Sequence, residues 1–379
     1  MIPFHISTQF DSGSIEVLNV ADHTDIRLNI RKDNDAEFAQ WFHFALHGAA
    51  QLPVTLRFMN AGACAYPKGW DGYRVVASHD RQHWFRIDTR YDGTVMTAQV
   101  TPAAQCIYFA YFEPYSYEHH LDLLATASAS PWVTQEWLGS TLDGRDMTVL
   151  HITHPDSPVP DTQKKNVWLI ARQHPGESMA EWFAEGFLQR LLDADDSVSR
   201  VLLERCVFHV VPNMNPDGAV RGNLRTNAAG ANLNREWLEP SMERSPEVYL
   251  VRQKMLETGV DLCLDAHGDE GLPYVFVVGS EGNPGYTTRI SELEGAFKAS
   301  WMAGCPDFQD RVNYGRCAPG QANPTLATSW VAQTFICLAF TIEMPFKDNA
   351  NRPDAVAGWN AERSRQLGAS VLVPVLAVV

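Results

Sequence analysis

Between Asn166 and Met179 the chain reads Asn-Val-Trp-Leu-Ile-Ala-Arg-Gln-His-Pro-Gly-Glu-Ser-Met, and this stretch constrains the fold more than any other. The short apolar run from Val167 to Ala171 reads as a buried strand. Pro175 and Gly176 then turn the chain. Met179, Trp182, Phe183, Phe187 and Leu191 follow at helical spacing. His174 and Glu177 sit on the strand-to-helix turn, three residues apart. An imidazole and a carboxylate on one short turn can close on the same Zn²⁺, leaving room for a third protein ligand and a water.

The chain has 379 residues, long for one core, and two domains are expected. A net charge of −15 argues against nucleic acid or an anionic membrane surface as a general partner. The first ten residues have neither a basic nor an apolar leader segment, and no stretch approaches the roughly 18 apolar residues of a membrane span. The seven cysteines are scattered without a CxxC pair, which fits reduced thiols in a cytoplasm.

Residues 1 to about 120 read as all-β. The segments 25–30 and 54–58 alternate apolar and polar residues, and further candidates are 39–46, 73–77, 84–87 and 106–112. Their spacing suggests a β-sandwich over residues 1–125. His119 and His120 are adjacent, so their side chains diverge, and a structural role is favoured over a metal pair. A helix is expected from about 121 to 135. Residues 126–379 then read as an α/β domain, a mixed sheet covered by helices on both faces. Its strands are expected at 147–152, 167–171, 206–212, 260–265 and 336–342.

Active sites of open α/β sheets lie beyond the carboxyl ends of the strands. There the chain supplies His174 and Glu177, the segment Asn213 to Gly218, His267, and Glu343. One His-Glu pair, a further His and an isolated Glu are the parts of a hydrolytic zinc site. His267-Gly-Asp-Glu270 is a second HxxE, so this motif alone does not choose between the two pairs.

His174-Pro-Gly-Glu177, Asn215-Pro-Asp-Gly218, Gly222-Asn-Leu-Arg225 and Leu233-Asn-Arg235 occur in that order. In them the sequence resembles the M14 zinc carboxypeptidases of the carboxypeptidase A superfamily, most closely the cytosolic carboxypeptidase branch. Phe112-Glu-Pro-Tyr-Ser-Tyr117 extends the resemblance to that branch's amino-terminal domain. The resemblance implies one zinc per chain, held by His174, Glu177 and His267, and prefers Glu177 over Glu270. It further implies that Arg225 polarises the scissile carbonyl, that Asn234 and Arg235 hold the substrate's terminal carboxylate, and that Glu343 is the general base. Peptide or protein C-termini would be the substrates.

Two departures stand out. The family often has Asp where this chain has Asn232, an uncharged partner for the first zinc histidine. No residue matches the tyrosine that closes over substrate in digestive relatives; Tyr314 is the candidate. The segment 311–333 is expected to line the pocket for the last side chain. It holds Arg311 and Arg316 but no charge from Ala318 to Gln333, whereas glutamate removal would favour a cationic pocket. A murein-peptide amidase or an N-acyl amino-acid deacylase of the same superfamily is the alternative reading, and a binding module that has kept the fold is a third.

Overall fold

The computed structural model describes residues 4–379. Ten short strands come first: β1 (His5–Ser7), β2 (Glu16–Asn19), β3 (Ile26–Asn29), β4 (His43–His47), β5 (Val54–Phe58), β6 (Val76–Ser78), β7 (Trp84–Arg86), β8 (Asp88–Tyr91), β9 (Met96–Val100) and β10 (Cys106–Ala110). They form two five-stranded sheets, β1-β4-β10-β6-β7 and β2-β3-β5-β9-β8. In β5, Val54, Leu56 and Phe58 are buried while Thr55 and Arg57 are partly exposed, the two-residue period of a half-covered strand. Phe58 meets Phe44 of the other sheet at a ring-centroid distance of 6.4 Å and Phe42, just before that strand, at 4.7 Å, so the two sheets close over a shared aromatic core. The strand expected from residue 39 begins only at His43. Trp41 is instead tied by its indole N–H to the Ser12 carbonyl, 2.9 Å away.

Helix α1 (Tyr117–Ser128) follows, and this corrects the expected helix at 121–135 at both ends. It starts early because the Ser116 side chain caps it, accepting from His119 N–H. It stops before Pro131, and the residues after that proline form the edge strand β11 (Val133–Ser140). On α1 the two histidines do diverge, His120 reaching Glu181 at 2.7 Å and His119 reaching Glu185 at 2.9 Å.

The remaining strands are β12 (Asp146–Ile152), β13 (Lys165–Ala171), β14 (Cys206–Val211), β15 (Leu262–Asp269), β16 (Phe276–Val278) and β17 (Leu338–Pro345). With β11 they make one seven-stranded sheet in the order β11-β12-β14-β13-β15-β17-β16. Its centre, β14-β13-β15-β17, is parallel, and its flanking pairs are antiparallel. In β13, Val167 and Leu169 join the core on one face, Trp168 and Ile170 that on the other. A strand buried on both faces reads as an unbroken apolar run. Two expected strands are shifted. Ile336 takes a left-handed φ of 49° at the end of the helix Ala327–Phe335, so β17 starts at Leu338, and β15 runs on to Asp269.

Helix α2 (Met179–Leu191) leaves the His174–Glu177 turn and packs on the helix Ala361–Ser370 through facing glycines. A Cβ on Gly186 would stand 2.0 Å from Arg365 O, and one on Gly368 1.9 Å from Phe183 O. The two backbones therefore touch. No helix among the described residues is long and apolar enough to cross a membrane.

Candidate active site

The turn after β13 is held by a buried arginine. Arg172 has φ 59°, a left-handed conformation costly for a residue with a Cβ. Its guanidinium donates to Pro175 O at 2.9 Å, Tyr115 O at 2.9 Å and Glu181 Oε2 at 2.7 Å, which fixes the bend. Gly176 N–H donates to Leu224 O at 2.8 Å, and a Cβ on Gly176 would lie 3.0 Å from that oxygen, so a side chain there would push on the Leu224 backbone.

The bend brings His174 and Glu177 against His267, which β15 delivers from within the strand rather than beyond it. His174 Nδ1 lies 2.7 Å from Glu177 Oε1, His267 Nδ1 lies 2.7 Å from Glu177 Oε2, and the two ring nitrogens are 3.2 Å apart. Donors around a tetrahedral zinc, with bonds of about 2.0–2.1 Å, stand about 3.3 Å apart. The three side chains are therefore spaced, slightly tightly, as such a ligand set requires. The outer ring nitrogens are also engaged. His174 Nε2 donates to Asn232 Oδ1 at 3.0 Å, and His267 Nε2 to Asp265 Oδ2 at 3.0 Å. Each histidine thus turns its Nδ1 inward, the atom that would face a bound metal ion. Burial, then the nearby Arg225 charge, pushes the His174 pKa down to about 4, which keeps it neutral. Burial opposes charge on His267 too, but Asp265 and Glu177 outweigh it and raise its pKa well above the usual value, so this spot favours a positive charge.

Glu343 reaches the same point by register. His267 and Glu343 are direct partners across the parallel pair β15–β17, so their side chains share a face. Glu343 is buried, and its Oε2 has no hydrogen-bond partner among the described residues. Burial raises its carboxyl well above the ordinary range. Glu270, the other HxxE acid, lies outside the converging trio, in the cleft wall against Gly69, and burial lifts its pKa to about 8.

These groups line a cleft of about 670 Å³, together with Arg225, Asn234, Arg235, Tyr314 and Thr341. Arg225 places Nη1 4.0 Å from Glu177 Oε1. Asn234 is buried, its Oδ1 accepting from Ala327 N–H at 2.9 Å, whereas Arg235 is exposed to the cleft. Of the segment 311–333, Tyr314 and Leu326 reach this cleft. Arg316 turns away to Glu281, 3.7 Å distant and 74% exposed, and Arg311 is absent from the lining, so neither supplies the cationic pocket considered from sequence. Sequence reasoning missed Asp265 and its neighbour Gln173, whose Nε2 donates to Asp265 Oδ2 at 2.7 Å. The signal was present: two residues apart on a strand, Asp265 and His267 share a face. It also missed Ala65 to Gly69, a stretch of the first domain that forms one side of the cleft.

Comparison with known proteins matches two stretches of the chain separately. Residues 6–112 match the cytosolic carboxypeptidase N-terminal domain, and residues 117–356 match the zinc carboxypeptidase model. A metallo-carboxypeptidase from Burkholderia cenocepacia is 49% identical, with 98% of each chain covered and a TM-score of 0.95. A metallo-carboxypeptidase from Pseudomonas aeruginosa, solved with (2-guanidinoethylmercapto)succinic acid, is also 49% identical over 98% of each chain, with a TM-score of 0.94. Mouse cytosolic carboxypeptidase 6 is 28% identical over 299 residues, 72% of this chain, which spans only 54% of that relative's length. The chain belongs to the zinc carboxypeptidase family, carries the amino-terminal domain of its cytosolic carboxypeptidases, and is a metallocarboxypeptidase by class.

Proposed function

We propose that this enzyme is a cytoplasmic, zinc-dependent exopeptidase that hydrolyses the last peptide bond of peptides or protein tails, with residues 126–379 catalytic and 1–125 flanking the cleft. The observation that carries the reading is the inward convergence of two histidine nitrogens and a carboxylate beside the unpartnered oxygen of Glu343. His174, Glu177 and His267 would hold one zinc ion. Zinc, when bound, supplies Lewis acidity that polarises a carbonyl and makes water a stronger acid. Asn234 and Arg235 receive the substrate's terminal carboxylate, for which a guanidinium fork is well shaped. Arg225 faces the scissile carbonyl, where negative charge develops only in the transition state. Glu343 takes a proton from the attacking water and returns it to the departing amine. The P. aeruginosa relative was solved with a succinic acid derivative, a dicarboxylate, in keeping with a cleft that offers two arginines to anionic groups. The free cysteines suit a reducing compartment.

The test uses zinc-loaded protein and paired peptides with free or amidated C-termini. Cleavage of the free acids alone, and a loss of about 10³-fold or more in kcat for Glu343→Gln with zinc retained, are expected. Equal cleavage of amidated peptides would remove the carboxylate clamp and favour the amidase or deacylase reading. Unchanged hydrolysis by Glu343→Gln would remove the assigned base.

A further inference from the structure

The loop that carries Arg225 is held from the other domain. Asp33, buried between the domains, accepts from Leu224 N–H at 2.6 Å, Arg225 N–H at 2.8 Å, Thr226 N–H at 2.9 Å and Thr226 Oγ1 at 3.0 Å. Three successive amides converging on one carboxylate form an anion-binding nest, filled here by the protein's own side chain. Neighbouring residues reinforce it. Arg31 Nη2 donates to Arg221 O at 2.8 Å, and Asn34 Nδ2 to Ala228 O at 2.9 Å. Beyond the backbone, the Arg225 guanidinium carbon lies 5.7 Å from the Phe38 ring centroid and 5.5 Å from that of Tyr66, within range of cation–π attraction to both. Leu224 O in turn accepts from Gly176 N–H on the zinc-ligand turn.

We propose that the amino-terminal domain is a working part of the active site: Asp33 fixes the backbone of residues 224–226, and Phe38 and Tyr66 hold the guanidinium, so that Arg225 stands aimed at the reacting carbonyl. This rests on the reading of Arg225 as the group that meets the developing oxyanion. Asp33, Phe38 and Tyr66 are positioning residues that act through it. An adhesive contact between domains could lie anywhere along their border. This one grips the arginine's own amide and both flanking amides. Preorganised donors act without reorganising at the moment of reaction, and a displacement of about 1 Å costs on the order of 10²-fold in rate.

A double-mutant cycle on the full, zinc-loaded chain tests this, with kcat and KM read on a peptide with a free C-terminus. Asp33→Asn and Phe38→Leu are each expected to lower kcat by about 10- to 100-fold, with zinc content unchanged and KM within about threefold. Arg225→Ala is expected to lose at least as much. In the Arg225→Ala background, Asp33→Asn and Phe38→Leu should cost nothing further, because the group they position is gone. Equal losses in both backgrounds would overturn the inference, as would full kcat in Asp33→Asn. If Asp33→Asn does not fold, Phe38→Leu, at a half-buried position, runs the same cycle. A wild-type kcat in Arg225→Ala would overturn the role of Arg225 itself. That outcome is distinct, because failure of the inference alone leaves Arg225→Ala impaired and uncoupled from Asp33.

Discussion

Asp265→Asn probes how the candidate metal centre is held. Asp265 is fully buried, and its Oδ2 alone accepts from both His267 Nε2 and Gln173 Nε2, while Oδ1 has no partner among the described residues. An asparagine can place its oxygen where Oδ2 stands and keep both hydrogen bonds. Its amide N–H₂ then occupies the place of Oδ1 and is buried without an acceptor, a penalty of about 1–3 kcal/mol. The flipped rotamer is worse, since it sets an N–H₂ against two N–H donors. In either pose the negative charge behind His267 is gone. Losing such a partner of a metal-bound histidine lowers metal affinity by about 10- to 100-fold, or about 1.4–2.7 kcal/mol. Chelator competition at fixed pH gives zinc dissociation constants for both proteins, and activity at saturating zinc separates weak binding from faulty chemistry. The expected result is a 10- to 100-fold weaker constant with most activity recovered by excess zinc. A constant within about twofold of wild type would refute the argument that the Asp265 charge behind His267 strengthens metal binding.

Asn232→Asp puts charge behind His174 in the same manner and is expected to tighten zinc binding by up to about tenfold in the same competition assay. Glu247 is fully buried against Asn227, and burial raises its pKa to about 7. Between the unfolded value near 4.5 and about 7 the native state keeps a proton that the unfolded chain releases, so stability falls as pH rises through that window, by at most about 3 kcal/mol. Glu247→Gln is expected to unfold at nearly the wild-type temperature at pH 5 and at a higher one at pH 8; an equal difference at both pH values would contradict this. Gly368→Ala gains about 1 kcal/mol in helix propensity but drives a methyl into Phe183 O, and overpacking of this kind costs about 1–3 kcal/mol. The clash with unyielding backbone is expected to win, and a melting temperature at or above wild type would show that the two helices can part freely.

What could be read from sequence was what is local. His174 and Glu177 share one turn, and the strands that carry His267 and Glu343 are apolar runs whose presence, though not whose limits, is legible. The two-residue period also places Asp265 beside His267, yet an acid inside a strand looks like any other without knowing which face holds the site. The β11 strand was hidden because Trp137 is 62% exposed and the strand lies at an edge, which gives it little apolar pattern. Asp33, Phe38 and Tyr66 could not be read at all. Their partners lie far along the chain, and no periodicity records contacts between domains.

The span of these contacts also bears on the order of assembly. Asp33 and Thr226 are 193 residues apart in the chain, yet they share a hydrogen bond beside the backbone of Arg225. Glu343 lies on one of the last strands to be made. During synthesis all ten strands of the sandwich precede the arginine loop that Asp33 holds. The sheet must then wait for β17, because a parallel strand next to β15 closes late and over a long loop. A nascent chain released before residue 343 would therefore carry His174, Glu177 and His267 but lack Glu343, the proposed base.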